Sequence, residues 1–124
     1  MKMLNILVAA IVHMGIGFVW FGPLFGKAWL SATGLKPKRA ASRAYVGFLI
    51  SSLVTSYVLA YTLKYFQVAT IMLAIQIGFW VWLGFVATTM LPSYLFERRP
   101  LKLYAINAGY YLAGIVVMSA ILTI

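Results

Sequence analysis

Four long apolar runs without a Lys, Arg, Asp or Glu residue constrain the fold of this chain more than any other feature. They extend over about residues 3–21, 44–63, 68–91 and 103–124. The hydrocarbon layer of a bilayer is about 30 Å thick, and a helix needs about 20 apolar residues to cross it. Every backbone amide must be paired inside lipid, so runs of this length are typical of helices rather than strands. The sequence therefore predicts an all-α bundle of four transmembrane helices.

The composition and charge of the chain indicate what it contacts. With 124 residues the chain is one domain by length, and 65% hydrophobic residues leave too little polar surface to cover a soluble globule. The formal net charge is +9, with Glu97 as the single acidic residue. In a soluble protein this excess would favour nucleic acid, but here the basic residues lie between apolar runs, where anionic lipid headgroups attract them. We therefore expect a lipid bilayer, and no nucleic acid, as a partner.

The basic residues also predict the orientation of the chain. The first and third connections between the runs hold Lys27, Lys36, Lys38, Arg39, Arg43, Arg98, Arg99 and Lys102. The other side holds only Lys2 and Lys64. Cytoplasmic loops carry an excess of Lys and Arg. This bias predicts a multi-pass protein of the cell membrane, with the first and third connections in the cytoplasm and both termini outside.

An interfacial motif follows the first run and consists of Trp20, Gly22, Pro23, Lys27 and Trp29. Proline suits the first turn of a helix, and glycine is favoured just past a helix end. The motif therefore predicts a short interfacial helix over about 23–33, with Pro23 in its first turn and Gly34 at its end, followed by a basic linker over residues 35–39. A similar proline and aromatic segment, followed by Glu97 and Arg98, closes the third run.

A weak internal repeat supports an arrangement in two halves. Residues 16–22 (IGFVWFG) are echoed by residues 77–84 (IGFWVWLG) with one gap. In both halves a run is followed by a proline-aromatic segment and basic residues. This similarity predicts two helical hairpins related by a pseudo-twofold axis along the membrane normal.

One histidine lies at membrane depth. His13 is about nine residues from the end of the first run, and the same count into the second run reaches the level of Ser52 and Ser56. A polar group in hydrocarbon is costly unless it is paired. His13 is therefore either a proton- or ligand-handling group or, in the interpretation that we favour, a neutral side chain hydrogen-bonded to hydroxyls of the second helix.

The third run carries a polar stripe with a spacing of four residues, formed by Gln76, Trp80, Gly84 and Thr88. The stripe is too polar to prefer lipid, so we expect it to face protein or a cavity. Counting residues from the membrane edge also places Asn107 level with Thr88, which predicts a hydrogen bond between the two. Helix packing is the favoured role of these groups, and a permeation or ligand pathway is the alternative.

Small residues form two further stripes that favour close helix contact. One consists of Ser52, Ser56 and Ala60 in the second run, and the other of Ala105, Gly109 and Ala113 in the fourth. Both are typical of association faces. Whether they meet within one chain or between chains is left open by the sequence.

The residues needed for most catalytic sites are absent from the sequence. One His, one Glu, no Asp and no Cys cannot supply a metal site, a Ser-His-acid triad or a carboxylate pair within one chain. We therefore expect a non-enzymatic protein without a bound cofactor.

Several segments together resemble a known family. The segments WFGPLFGKAW (20–29), GFVA (84–87), FERRPLKL (96–103) and INAGY (106–110) resemble small prokaryotic four-span membrane proteins catalogued as a domain of unknown function. The resemblance implies a four-helix integral membrane protein and brings no catalytic residues. In size the chain is also similar to the small multidrug-resistance transporters, but it has His13 where those proteins use a glutamate in the first helix.

The sequence thus favours a protein that works through association, as a homo-oligomer or as a small accessory subunit of a membrane complex. The alternative is a small transporter or channel whose path is lined by His13, Gln76, Trp80 and Asn107.

Overall fold

The computed structural model describes residues 2–35 and 42–124, and within these residues the chain forms helices and no strand. The helices are α1 (Met3–Val19), α2 (Gly26–Thr33), α3 (Ser42–Tyr65), α4 (Ile71–Trp82), α5 (Thr88–Phe96) and α6 (Leu101–Leu122). Most of the predicted basic linker, residues 36–39, lies outside the described residues.

Four continuous helical spans are long and apolar enough to cross a membrane. They are Met3–Leu24, Ser42–Tyr65, Ile71–Phe96 and Leu101–Leu122, here called the first to fourth spans. The first and third spans each contain one π-helical turn, at Trp20–Leu24 and Leu83–Ala87. The four-helix fold predicted from the sequence is confirmed, and the protein has the architecture of a multi-pass membrane protein.

The first π-helical turn redirects the chain into the short helix α2. Pro23 lies inside this turn, whose wider spacing is seen in the bond from the Phe25 N–H to the Trp20 carbonyl. Pro23 therefore does not open the short helix, which begins at Gly26. A Cβ at Gly26 would lie 2.8 Å from the Phe21 carbonyl oxygen, so the backbone can turn this closely only at glycine. Gly34, with φ of 72°, ends α2 where the sequence predicts its end.

The fourth span lies at the centre of the bundle. It packs extensively against the first and third spans, while the second span packs mainly against the first. The third span meets the fourth through its small residues Ala74, Gly78 and Ala87, which are buried. A Cβ at Gly78 would lie 2.5 Å from Ser119 Oγ, so glycine sets the closeness of this crossing.

The packing departs from the predicted pseudo-twofold symmetry. Such an axis exchanges the first span with the third and the second with the fourth. The contact between the second and third spans would then match the contact between the first and fourth. The first and fourth spans contact each other along much of their length, but the second and third barely touch. An open groove of about 300 Å³, lined by residues such as Val58, Val81 and Ile115, lies between them. The repeat is therefore a repeat of sequence motifs and not of helix packing.

The two ends of the bundle differ in character. The basic end carries Lys27, Arg43, Arg98, Arg99 and Lys102. At the opposite end, Asn5 Nδ2 donates to the Ile124 carbonyl oxygen at 3.2 Å and joins the first and fourth spans. The hydrophobic core lies toward this opposite end and contains Ile6, Ala9, Leu59, Ala60, Leu63, Ala74, Ile115, Met118 and Leu122.

Candidate functional site

His13 lies in a buried polar cluster that joins three of the four spans. Its Nδ1 atom lies 2.9 Å from Ser52 Oγ and 3.2 Å from the Tyr110 hydroxyl oxygen. The Tyr110 hydroxyl also donates to the backbone carbonyl of His13 at 2.9 Å. Because that bond uses the only Tyr110 hydroxyl proton, the phenolic oxygen can bond Nδ1 only as an acceptor, and a protonated Nδ1 then shares its one proton between Ser52 Oγ and the Tyr110 oxygen. This network, here called the His13 cluster, is consistent with a neutral imidazole protonated on Nδ1.

Close packing fixes the imidazole of His13 in place. A Cβ at Gly114 would lie 2.5 Å from His13 Cδ2 and 3.0 Å from Nε2, so the ring occupies the space above a glycine. The His13 ring centroid lies 5.0 Å from that of Tyr110 and 5.9 Å from that of Phe48. Only 4% of His13 is exposed. His13 is therefore closely packed and hydrogen-bonded to Ser52 of the second helix, and its role in packing rather than in proton or ligand handling stays a prediction.

The two predicted hydroxyl partners of His13 have different roles. Ser52 contacts the imidazole as expected, while Ser56 donates to the Ile6 carbonyl at 2.7 Å. Sequence reasoning missed Tyr110. Tyr110 is nine residues after Leu101, where the fourth span begins in the structure, but the predicted run begins at residue 103, from which the same count reaches Leu112.

Three of the four tryptophans donate to the fourth span. Trp20 Nε1 donates to the Ile106 carbonyl at 2.9 Å, and Trp82 Nε1 donates to the Ala108 carbonyl at 2.8 Å. Trp29 Nε1, on α2, donates to Asn107 Oδ1 at 3.2 Å. In these bonds the indole rings connect the first span, the third span and α2 to the central helix.

A pocket of about 380 Å³ opens at the basic end of the bundle. It is lined by Phe21, Trp29, Met90, Tyr94, Asn107 and Tyr111, and is here called the basic-end pocket. Asn107 Nδ2 donates to the Tyr94 hydroxyl at 2.7 Å. The guanidinium carbon of Arg99 lies 4.2 Å from the centroid of the Tyr94 ring. The pocket therefore combines aromatic walls, a polar floor and a neighbouring cation.

The predicted hydrogen bond between Thr88 and Asn107 is wrong. Thr88 Oγ1 donates to the Gly84 carbonyl of its own helix at 2.8 Å, and the Asn107 amide is bonded to Trp29 and Tyr94. The depth count compares levels along the membrane normal and does not give the side of the helix on which a residue lies. Thr88 is exposed, so its hydroxyl does not reach Asn107.

The polar stripe of the third span, which we expect to face protein or a cavity, faces away from the rest of this chain. Gln76, Trp80, Gly84 and Thr88 are all exposed, and Trp80 is 66% exposed. The third span packs through Ala74 and Gly78. Gln76 is two residues from each, which is about 200° around a helix and thus the opposite side.

The residues proposed for a transport path lie in three separate places. His13 is in the buried cluster, Gln76 and Trp80 are on the outer surface, and Asn107 is in the basic-end pocket. The structure does not bring them together along one line.

The small-residue stripes serve mainly to pack this chain on itself. Ser52, Ser56 and Ala60 are buried within the bundle. A Cβ at Gly109 would lie 3.2 Å from Trp20 Cζ2, so this glycine makes room for the indole ring. Ala113 is partly buried and Ala105 is exposed.

The interfacial motif residues cluster near the basic end. Trp20 and Trp29 are half-buried and bonded to the fourth span. The remaining members are exposed, and they are Gly22, Pro23, Lys27, Glu97 and Arg98. Within the motif, Trp29 therefore ties α2 to the fourth span, and Trp20 ties the end of the first span to it.

Comparison with known proteins identifies one family. The family model described as a protein of unknown function (DUF1761) matches residues 4–123. No curated protein and no solved structure matches the chain.

Proposed function

The chain belongs to the DUF1761 family of proteins of unknown function, and we propose from its own geometry that it is a non-enzymatic membrane protein that works by association. The proposed unit is a parallel homodimer formed through the outer face of the third span. The observation that carries this proposal is that Gln76 and Trp80 lie on that face with no side-chain hydrogen-bond partner within residues 2–35 and 42–124.

Trp80 is the exception among the tryptophans. The indole N–H groups of Trp20, Trp29 and Trp82 are bonded, but that of Trp80 has no acceptor within residues 2–35 and 42–124. Trp80 is nine residues after Ile71, or about 14 Å along a span about 39 Å long. At that depth the side chain lies in hydrocarbon, where no water replaces the missing acceptor.

Gln76 supplies the complementary groups on the same face. It is one turn from Trp80, it is exposed, and its amide makes no hydrogen bond with another described residue. An amide offers two N–H donors and a carbonyl acceptor. In a twofold dimer, Gln76 of each copy can accept from Trp80 Nε1 of the other, so the face is self-complementary.

The charge distribution supports parallel rather than antiparallel copies. Eight of the ten Lys and Arg residues belong to the first and third connections, so both copies insert the same way. We place these connections in the cytoplasm and both termini outside the cell membrane. The small-residue stripes are largely used within the chain, which leaves the third-span face as the surface for a second copy.

Measuring the dimer dissociation constant in detergent, for example by energy transfer between labelled copies, tests the proposal. Gln76→Leu keeps the bulk of the side chain but removes its polar groups, so the dissociation constant should rise about tenfold. Trp80→Phe should also raise the dimer dissociation constant. Tyr57→Phe is the matched control, because it removes an exposed polar group from the second span.

Two outcomes would contradict the homodimer. One is a wild-type protein that stays monomeric at every concentration measured. The other is a Gln76→Leu protein that associates as strongly as the Tyr57→Phe control.

A further inference from the structure

We propose that the basic-end pocket binds one anionic phospholipid, with an ester carbonyl at Tyr94 and the headgroup phosphate at Arg99. The site is independent of the proposed dimer face, because Gln76 and Trp80 do not line it. The site combines an unused donor, a neighbouring cation and apolar walls.

The unused donor is the hydroxyl of Tyr94. Only 4% of Tyr94 is exposed, and its side chain lines the pocket. The hydroxyl oxygen accepts from Asn107 Nδ2, but its own proton has no acceptor among the described residues. Asn107 also has a second amide N–H beyond the one given to Tyr94. Buried donors without acceptors are costly, so these groups fit a ligand that brings an acceptor such as an ester carbonyl.

The cation is Arg99. Its guanidinium carbon lies 4.2 Å from the centroid of the Tyr94 ring, so the charge is held at the residue that carries the unused hydroxyl. The chain has one acidic residue against ten basic ones, which makes this end complementary to an anion. A guanidinium binds a phosphate through two parallel hydrogen bonds, so Arg99 selects a phosphate over a neutral headgroup.

The apolar walls fit an acyl chain. Phe21, Met90 and Tyr111 line the pocket beside the polar groups, and the pocket is open toward the surface of the bundle. A lipid can therefore place its glycerol region in the pocket and extend its chains along the apolar spans. A water-soluble anion would gain nothing from these walls.

Native mass spectrometry of the full chain in neutral detergent, titrated with phosphatidylglycerol, tests the site. The wild type should bind one phosphatidylglycerol per chain and prefer it to phosphatidylcholine, whose choline group opposes Arg99. Arg99→Gln should raise the phosphatidylglycerol dissociation constant about tenfold, as expected for the loss of a charge-assisted bond. Tyr94→Phe keeps the ring but removes the hydroxyl donor, so it should also raise the phosphatidylglycerol dissociation constant.

Matched variants separate this site from general attraction to the basic end. Arg98→Gln removes the same charge from the neighbouring exposed residue, and Tyr57→Phe removes a hydroxyl from another span. Both should bind phosphatidylglycerol like the wild type. Equal weakening by Arg99→Gln and Arg98→Gln would overturn the proposal.

Two further measurements identify the occupant and its place. Inorganic phosphate at the same concentration should not displace the lipid, and displacement would overturn a lipid in favour of a free anion. A phosphatidylglycerol with a photoreactive acyl chain should label the peptides containing Phe21, Met90 or Tyr111, and label confined to other peptides would contradict this pocket.

Gln76→Leu, which should weaken the dimer, should leave the amount of lipid bound per chain unchanged. The dimer proposal and the lipid proposal can therefore be contradicted independently of each other.

Discussion

The indole N–H groups of Trp20 and Trp82 donate to carbonyls two residues apart on the fourth span, those of Ile106 and Ala108. Two residues are about 200° around a helix, so the two rings approach the central span from nearly opposite sides. The first and third spans therefore hold the fourth between them, each through a bond from an indole N–H to a backbone carbonyl.

Trp20 and Trp82 also occupy equivalent positions in the internal sequence repeat. When Trp80 is taken as the inserted residue, Trp20 corresponds to Trp82, and Gly17 corresponds to Gly78. Both glycines lie at tight contacts, and both tryptophans lie at the start of a π-helical turn or directly before one. The extra residue explains why Trp80 faces outward while Trp82 faces the fourth span.

Removing the indole N–H should destabilise the bundle at Trp20 and at Trp82 but not at Trp80. We expect Trp20→Phe and Trp82→Phe each to lower the free energy of unfolding in detergent by about 1 kcal/mol, the size of one interhelical hydrogen bond in a membrane protein. Trp80→Phe should change it by less than about 0.5 kcal/mol, because that residue is exposed. Denaturant titration of the monomer measures all three. Equal losses at the three positions would contradict a stabilising role for the Trp20 and Trp82 hydrogen bonds.

A methyl group at Gly114 should disrupt the His13 cluster. Gly114→Ala places a Cβ 2.5 Å from His13 Cδ2, so the ring must move away from Ser52 and Tyr110. We expect a loss of about 1 to 3 kcal/mol in the free energy of unfolding, as for other overpacked sites. Gly15→Ala is the control, since no atom lies within 4 Å of its added Cβ, and it should stabilise the helix slightly.

A double-mutant cycle distinguishes a clash with His13 from a general intolerance of alanine. Combined with His13→Ala, which empties the space, Gly114→Ala should cost much less than it does alone. If the two losses simply add, the imidazole is not what makes glycine necessary at this position.

The elements that the sequence predicted well are those that depend on hydrophobicity and local backbone chemistry. The four spans follow from run length, and Gly34 ends α2 because glycine adopts positive φ without a Cβ clash. Counting depth worked for His13 and Ser52 because α1 is regular from His13 to Val19 and α3 is regular from Ser42 to Ser52, which is most of each counted stretch.

The elements that the sequence could not predict depend on which side of a helix is buried. Polarity predicted that Gln76 and Trp80 face protein or a cavity but did not say which side of the third span meets the fourth. The small residues Ala74 and Gly78 allow the closer approach and are buried against the fourth span. Asn107 pairs with Tyr94 and not with Thr88 because Tyr94 is on the buried side of the third span and Thr88 is exposed, and a count of residues from the membrane edge does not give that side.

Asn107 should control how firmly α2 is held to the bundle. Its Oδ1 accepts from Trp29 and its Nδ2 donates to Tyr94, so one amide ties α2 and the third span to the fourth. Asn107→Leu keeps a similar volume but removes both bonds. We expect backbone amides within Gly26–Thr33 to exchange with solvent deuterium about tenfold faster in this variant, because local opening becomes less costly.

The matched control for this exchange measurement is Asn5→Leu. Asn5 also bonds to the fourth span, through the Ile124 carbonyl, but at the opposite end of the bundle. That variant should speed exchange near the termini and leave α2 unchanged. Unaltered exchange of α2 in Asn107→Leu would mean that the contact of Trp29 with Phe21, whose ring centroids lie 6.1 Å apart, is sufficient to hold the short helix. The amide would then serve only to position Tyr94 in the basic-end pocket.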